Sequence, residues 1–350
     1  MSIIFAILLF SILILLHELG HFVAAKLSGV QVNEFALFMG PAIWKKQVGQ
    51  TLYSLRCIPI GGYCAMEGEN EDTDSPYSFQ KAAWWKRLII LVAGSFMNFL
   101  TGLVIFAIVF APAKQFIVPE IAQVDEGCTI VREDGLHVGD RFLEINGEKV
   151  FVHSNFSLLL GLNGGDVHDL TVERDGEVLK FKDYKLEKHL FPGEQVERYG
   201  FSFGVEDATI GNRIKYLWNT ALDSVRTVRL SLQMLFTGQA GVKDMTGPVG
   251  IVQMMSTTAQ ASETALDALL NMLYFGGFIA INLAVMNLLP IPALDGGRTF
   301  FLLLISLIEA VTRKKINPKY EGYIHGAGMI LLLAFMAFIM FKDIFVIFKR

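Results

Sequence analysis

The sequence predicts a polytopic α-helical membrane protein with four transmembrane helices, a membrane-associated β-hairpin and one inserted polar domain. Long apolar stretches begin near Ile3, Leu88, Ala268 and Gly322. Hydrophobic residues make up 53% of the 350 and charged residues only 18%, a balance that calls for lipid contact. Residues 114–207 break the pattern, turning mixed polar and strand-like. A net charge of −4 argues against a nucleic-acid partner.

The first span covers Ile3 to Gly29 and contains His17-Glu18-Leu19-Gly20-His21. On a helix, histidines at i and i+4 share one face, so two imidazoles can hold one Zn²⁺. Glu18 beside them can take a proton from water at that metal. An ionisable side chain inside a span costs roughly 2.5–3.5 kcal/mol on insertion scales, so the motif in this setting points to function. Gly20, Ala24 and Ser28 form a small-residue line that lets another helix approach. The run lacks a basic leader before it and a small-residue cleavage site after it, so it reads as a retained span.

From Val30 to Arg87 the chain mixes charges of both signs. Within it, 51–66 reads as two short apolar strands around Pro59-Ile60-Gly61-Gly62, a hairpin greasy enough to dip into the bilayer. Glu67 to Asp74 is an acidic, solvated run. Cys57, Cys64 and Cys128 are too few and too scattered for a disulfide framework or a thiolate cluster. The second span, Leu88 to Pro112, carries Asn98, which is expected to bond a neighbouring helix, with substrate contact as the other reading. These segments make 1–112 the first half of the membrane core.

Two dipeptides, Asn146-Gly147 and Asp175-Gly176, mark tight hairpins in the insert at 114–207. Residues 208–267 read as an interfacial, amphipathic helical linker, with apolar residues at 214, 218, 221, 225, 228, 232 and 235 and with Lys215, Arg226 and Arg229 off that line. The second half of the core, 268–350, holds a third span that breaks at Pro290-Ile291-Pro292-Ala293-Leu294-Asp295-Gly296-Gly297 and resumes from Thr299 to Ile308. Irregular backbone at membrane depth is tolerated only where protein or a water cavity supports it, and here it carries Asp295. The fourth span, Gly322 to Phe341, has His325 near its start, read as a packing or interface residue. The basic connection from Thr312 to Lys319 should be cytoplasmic, which puts both termini and the insert outside.

Gly135-Leu136-x-x-Gly139-Asp140-x-x-Leu143-x-Ile145-Asn146-Gly147 resembles a PDZ domain of bacterial envelope proteases, a class that binds extended peptides by strand addition. His17 to His21, with Asn287-x-x-Pro290-x-Pro292-x-Leu294-Asp295-Gly296, resembles the site-2 protease family of intramembrane zinc metalloproteases, in its bacterial regulator-of-sigma-E type. Gly40-Pro41, Pro59 to Tyr63 and Thr246 to Ile251 fit the same likeness. Two stretches depart from it: Gly94-Ser95, where Gly-Pro is usual, and the glycine-poor Ala36 to Met39.

That resemblance implies one zinc ion per chain on His17, His21 and Asp295, Glu18 as the base, and Asn287 positioning the substrate backbone. It implies cleavage of transmembrane segments such as anti-sigma factors or signal-peptide remnants, after a first cut outside, in a bacterial inner membrane with the active site toward the cytoplasm. A metal transporter would instead show repeated halves and a ligand-lined path. A non-catalytic receptor would have no need of Glu18.

Overall fold

The computed structural model describes residues 2–69, 73–128, 130–131, 135–162, 164–191, 195–241, 243–313 and 319–348. In chain order its helices are α1 (Ser2–Ser28), α2 (Trp84–Phe110), α3 (Phe156–Gly161), α4 (Ile210–Phe236), α5 (Pro248–Gln260), α6 (Ala265–Asn287), α7 (Asp295–Thr312) and α8 (Lys319–Phe348). Its strands are β1 (Val32–Val48), β2 (Thr51–Met66), β3 (Gln115–Val124), β4 (Arg141–Ile145), β5 (Glu148–Lys149), β6 (Val167–Arg174), β7 (Glu177–Lys185) and β8 (Phe201–Asp207). Among the described residues, four helices are long and apolar enough to cross a membrane: Ile3–Ser28, Trp84–Phe110, Ala265–Asn287 and Gly322–Val346. Two compact units form, Met1–Phe106 with Thr237–Arg350, and Ala107–Phe236.

In the first unit, α1 is 27 residues long, about 40 Å of helix. Gly29, at φ 79°, ends it, and Val30 N–H bonds back to the Ala25 carbonyl. Lys86 Nζ donates to Ser28 O at 3.0 Å, a cation on the carbonyl end of the helix dipole. Gly20 packs on the α2 backbone at Ala93, and Gly277 of α6 packs on the Phe106 ring of α2. Without water to drive association, helices in lipid gain by this close van der Waals contact.

The expected hairpin at 51–66 is corrected in its pairing. Its two halves do not pair with each other, because residues 34–37 of β1 lie between them. On one side Leu37 faces Gly62 and Glu34 faces Ala65; on the other Glu34 faces Leu52 and Leu37 faces Leu55. The tight turn is at Gly49-Gln50, joining residues 42–48 to 51–56. The sequence hid β1 because Glu34, Gly40-Pro41 and Lys45-Lys46 interrupt its apolar pattern. Three side chains lock the sheet: Glu34 Oε1 accepts from Ser54 Oγ at 2.6 Å and from the Arg56 guanidinium at 2.7 Å, and Arg56 also donates to Gly40 O. The cysteines are free thiols, Cys57 exposed and Cys64 buried.

The third span is also corrected. Helix α6 has spanning length by itself, and helix resumes at Asp295 rather than Thr299, running to Thr312. An acidic first-turn residue suits a helix N-terminus, and Gly296 and Gly297 have no side chain to collide with the carbonyls of Leu288 and Ile291. The segment 208–267 is two separate helices, α4 in the second unit and α5 in the first. Asp343 of α8, 6% exposed, accepts Gly247 N–H at 2.9 Å and Gly250 N–H at 3.0 Å, which caps α5. The acidic run is described only at its ends, and most of the basic connection, 314–318, lies outside the described residues.

The second unit is a six-stranded sheet in the order β7-β6-β4-β3-β8, with β5 on β4. Both expected hairpin turns form, with φ above zero at Asn146 and Gly147 and at Asp175 and Gly176. Fully buried Asp140 pairs with the Arg174 guanidinium at 2.6 and 2.8 Å and accepts His137 N–H, which gives the Gly139-Asp140 pattern its purpose. Phe142, Ile145, Leu170 and Val172 pack on Phe156, Leu159 and Leu160 of α3 and on Leu230 of α4. The buried face of α4 departs from the expected line: Ile214 and Trp218 are exposed, while Arg226 is buried and paired with Asp223.

Burial works against the Glu34 carboxylate, but hydrogen bonds from Ser54, Arg56 and Tyr63 outweigh it and hold its pKa below the ordinary value. A depressed folded pKa contributes stability above the unfolded pKa that is lost as pH falls through the folded one. Glu34→Gln should therefore lower stability near neutral pH by about 1 kcal/mol. In thermal melts in detergent, the gap to the parent protein should close as pH drops below the glutamate range.

Candidate metal centre

His17 and His21 lie one turn apart on α1, 9% and 7% exposed. Asp295 opens α7, 274 positions after His21 in the chain. The fold brings the three together. Asp295 Oδ2 lies 3.1 Å from His17 Nε2 and 3.2 Å from His21 Nε2, and the two Nε2 atoms are 3.2 Å apart. Three donors of a tetrahedral zinc with bonds of 2.0–2.1 Å stand about 3.3–3.4 Å from one another. The triangle is therefore close to the right size for that ion.

Hydrogen bonding fixes which ring nitrogens face inward. His21 Nδ1 lies 2.7 Å from the Ile90 carbonyl, which can only accept, so Nδ1 carries the proton and Nε2 the lone pair. His17 Nδ1 meets the Asn98 side chain at 3.2 Å. Asn98 is 2% exposed; as placed its Nδ2 faces His17, and its Oδ1 has no hydrogen-bond partner among the described residues. Turned so that Oδ1 faces His17, the amide accepts the Nδ1 proton and again leaves Nε2 bare. Asp295 Oδ2, also buried and without a hydrogen-bond donor among the described residues, completes the three donors around one point. Three such groups repel in a low dielectric unless a cation lies between them. The donor set, two imidazoles and a carboxylate, suits zinc and leaves its fourth position open.

Glycine makes room for this arrangement. A Cβ on Gly94 of α2 would lie 2.7 Å from ring carbons of both histidines. Asn98, four residues on, lies one turn along the same face. Glu18 is half-buried, and Gly62 of β2 faces it, with 3.6 Å between the Glu18 Cγ and where a Gly62 Cβ would be. Asn287 is the last residue of α6, half-buried, and its side chain makes no hydrogen bond among the described residues. The structure thus gathers His17, His21 and Asp295, keeps Glu18 next to His17 on α1, and leaves Asn287 without a contact that defines its role. Sequence reasoning missed the Ile90 carbonyl, which no residue type announces, and the steric role of Gly94, which it noted only for the serine that follows where proline is usual.

The model of peptidase family M50 matches residues 5–335. A Clostridium perfringens protein named "Putative zinc metalloprotease" is 38% identical over 98% of both chains. A Fusobacterium nucleatum protein of the same description is 31% identical over the full length of both. The regulator of sigma-W protease RasP of Bacillus subtilis is 25% identical over 97% of both.

Gly94→Ala should push the two imidazoles apart and lower bound zinc well below one per chain, measured by atomic absorption on the purified protein. Asn98→Leu should weaken zinc affinity by roughly 10–100-fold, the usual effect of losing an outer hydrogen bond to a ligating histidine. Full zinc occupancy and unchanged affinity in both variants would show that neither residue supports the site.

Proposed function

The chain belongs to peptidase family M50, the zinc metalloproteases, and from that premise we propose that it cleaves transmembrane segments of other membrane proteins within the lipid layer. The observation that carries this reading is the donor triangle, built from the middle of one spanning helix and the turn that follows another. On this reading His17, His21 and Asp295 hold the zinc and Glu18 is the general base. When bound, the zinc supplies Lewis acidity toward water and the scissile carbonyl. Glu18 accepts the proton of the attacking water at a carboxylate oxygen and returns it to the departing amide nitrogen. Ile90 and Asn98 keep the imidazoles neutral and correctly turned while that proton moves.

A membrane helix bonds its own carbonyls and amides and is a poor substrate until it unwinds. Residues 62–66 of β2 pair on one side with β1, and among the described residues no strand pairs with their other side. That edge runs past Glu18 at Gly62. An unwound substrate lying along it as an added strand recovers hydrogen bonds while its scissile bond reaches the zinc. Asn287 lies at the end of α6 and is assigned to the substrate backbone. Substrates of the anti-sigma-factor or signal-peptide-remnant type, already cut once outside, fit a site this enclosed.

The second unit is read as a PDZ-type domain. Its β8 is the last described strand of the sheet, and Phe203 packs at 5.2 Å from Phe156 of α3, so a peptide added to the edge of β8 that no described strand pairs would run beside α3. It acts as a filter outside a bacterial inner membrane, with both termini on that side and the active site toward the cytoplasm.

Glu18→Gln should abolish cleavage of a model transmembrane substrate while keeping one zinc per chain. Cleavage at the parent rate would remove Glu18 from the chemistry. Proline at alternate positions of 62–66 should lower cleavage with zinc retained, and unchanged cleavage would sink the added-strand idea. Removal of residues 115–207 should widen the range of substrates cut, whereas a narrower range would oppose the filter.

A further inference from the structure

His325 stands near the start of α8, a helix that contributes no atom to the donor triangle. Its Nδ1 accepts the backbone N–H of Ala293 at 3.0 Å. Ala293 has φ 81°, in the left-handed region that residues with a Cβ avoid. Pro290 and Pro292 remove amide donors on either side of Ile291, so the 288–294 turn has few bonds of its own. Those it has are Ile291 N–H to Leu289 O and Leu294 N–H to Ile291 O. Three residues beyond His325, on the same face of α8, Gly328 presses on Pro292, where a Cβ would lie 3.0 Å from the Pro292 carbonyl. The face of α8 is shaped to this turn.

A second tether lies on the other side of Asp295. Arg298, in the first turn of α7, pairs with Glu69 just beyond β2. Asp295 sits between the two, two residues after Ala293 and three before Arg298. Its carboxylate reaches the imidazoles only while the turn keeps its shape.

We propose that His325 is a positioning residue for Asp295: by accepting the Ala293 amide it holds the left-handed turn that aims the carboxylate at His17 and His21. The inference rests on Asp295 being a zinc donor, as proposed above. His325 need not touch the metal or the substrate. If its acceptor is lost, the Ala293 N–H must find another partner, and the turn relaxes toward ordinary φ. A site that demands its donors within about 0.5 Å then loses one of them.

Three substitutions separate this role from mere packing. His325→Asn keeps an acceptor oxygen near the Nδ1 position, His325→Gln moves that oxygen one bond outward, and His325→Leu removes it. Zinc affinity of each purified full-length variant is read by competition with a chromogenic chelator. The Leu and Gln variants should bind zinc 10–100-fold more weakly, and the Asn variant within about threefold of the parent. Parent-like affinity in the Leu variant, or equal affinity in the Asn and Gln variants, would overturn the proposal; if the Leu variant fails to fold, the Asn and Gln pair decides. Asp295→Ala is measured beside them. Parent-like zinc binding in that variant overturns the donor assignment itself, while zinc lost there but kept in His325→Leu overturns only the role of His325.

Discussion

Three electron-pair donors held about 3 Å apart in a poorly solvated interior are a liability, and the membrane unit is arranged around that constraint. Two imidazoles and a carboxylate repel when none carries a proton between them. Only a cation at their common focus turns the repulsion into binding. The protein fixes the donors from every side. Ile90 and Asn98 of α2 set the two rings. Gly94 lets α2 come close enough to do so. The turn at 288–294 leads directly into Asp295, with α8 against one end of it and the Arg298–Glu69 pair beyond the other. Zinc as cofactor and peptide hydrolysis as activity follow from the family to which the chain belongs.

Much of this was legible in the sequence because lipid simplifies the code. Four long apolar stretches yield four helices of spanning length, with ends displaced by a few residues. The i, i+4 histidines fall on one helical face because helix geometry leaves them no alternative. Asn-Gly and Asp-Gly marked two turns, since those residues tolerate the positive φ both turns require. Asp295 was visible as a carboxylate on backbone too broken for a regular helix, although only the family likeness tied it to the histidines.

What stayed hidden depends on pairing rather than composition. The strand at 32–48 carries charges and a Gly-Pro step, and its partners on both sides come from one later segment. No local pattern announces a strand inserted between two halves of another. Arg226 falls off the apolar line of its helix, yet it is buried against Asp223 and lies 4.9 Å from the Phe151 ring. Helix α7 begins at Asp295 because glycines let the chain fold back on the carbonyls before it, a steric fact that hydropathy does not record. His325 looked like packing because its partner is a backbone amide.

The zinc environment of the loaded protein, read by X-ray absorption, tests the central claim most directly. Two histidine imidazoles per zinc, with the remaining ligands oxygen at about 2.0–2.1 Å and no sulfur, is the expected spectrum. Cys64 is a buried free thiol of the same unit, so a sulfur ligand is the alternative the spectrum would expose. A sulfur shell at about 2.3 Å, or a single imidazole, would contradict the assignment of His17, His21 and Asp295 as the metal's protein ligands.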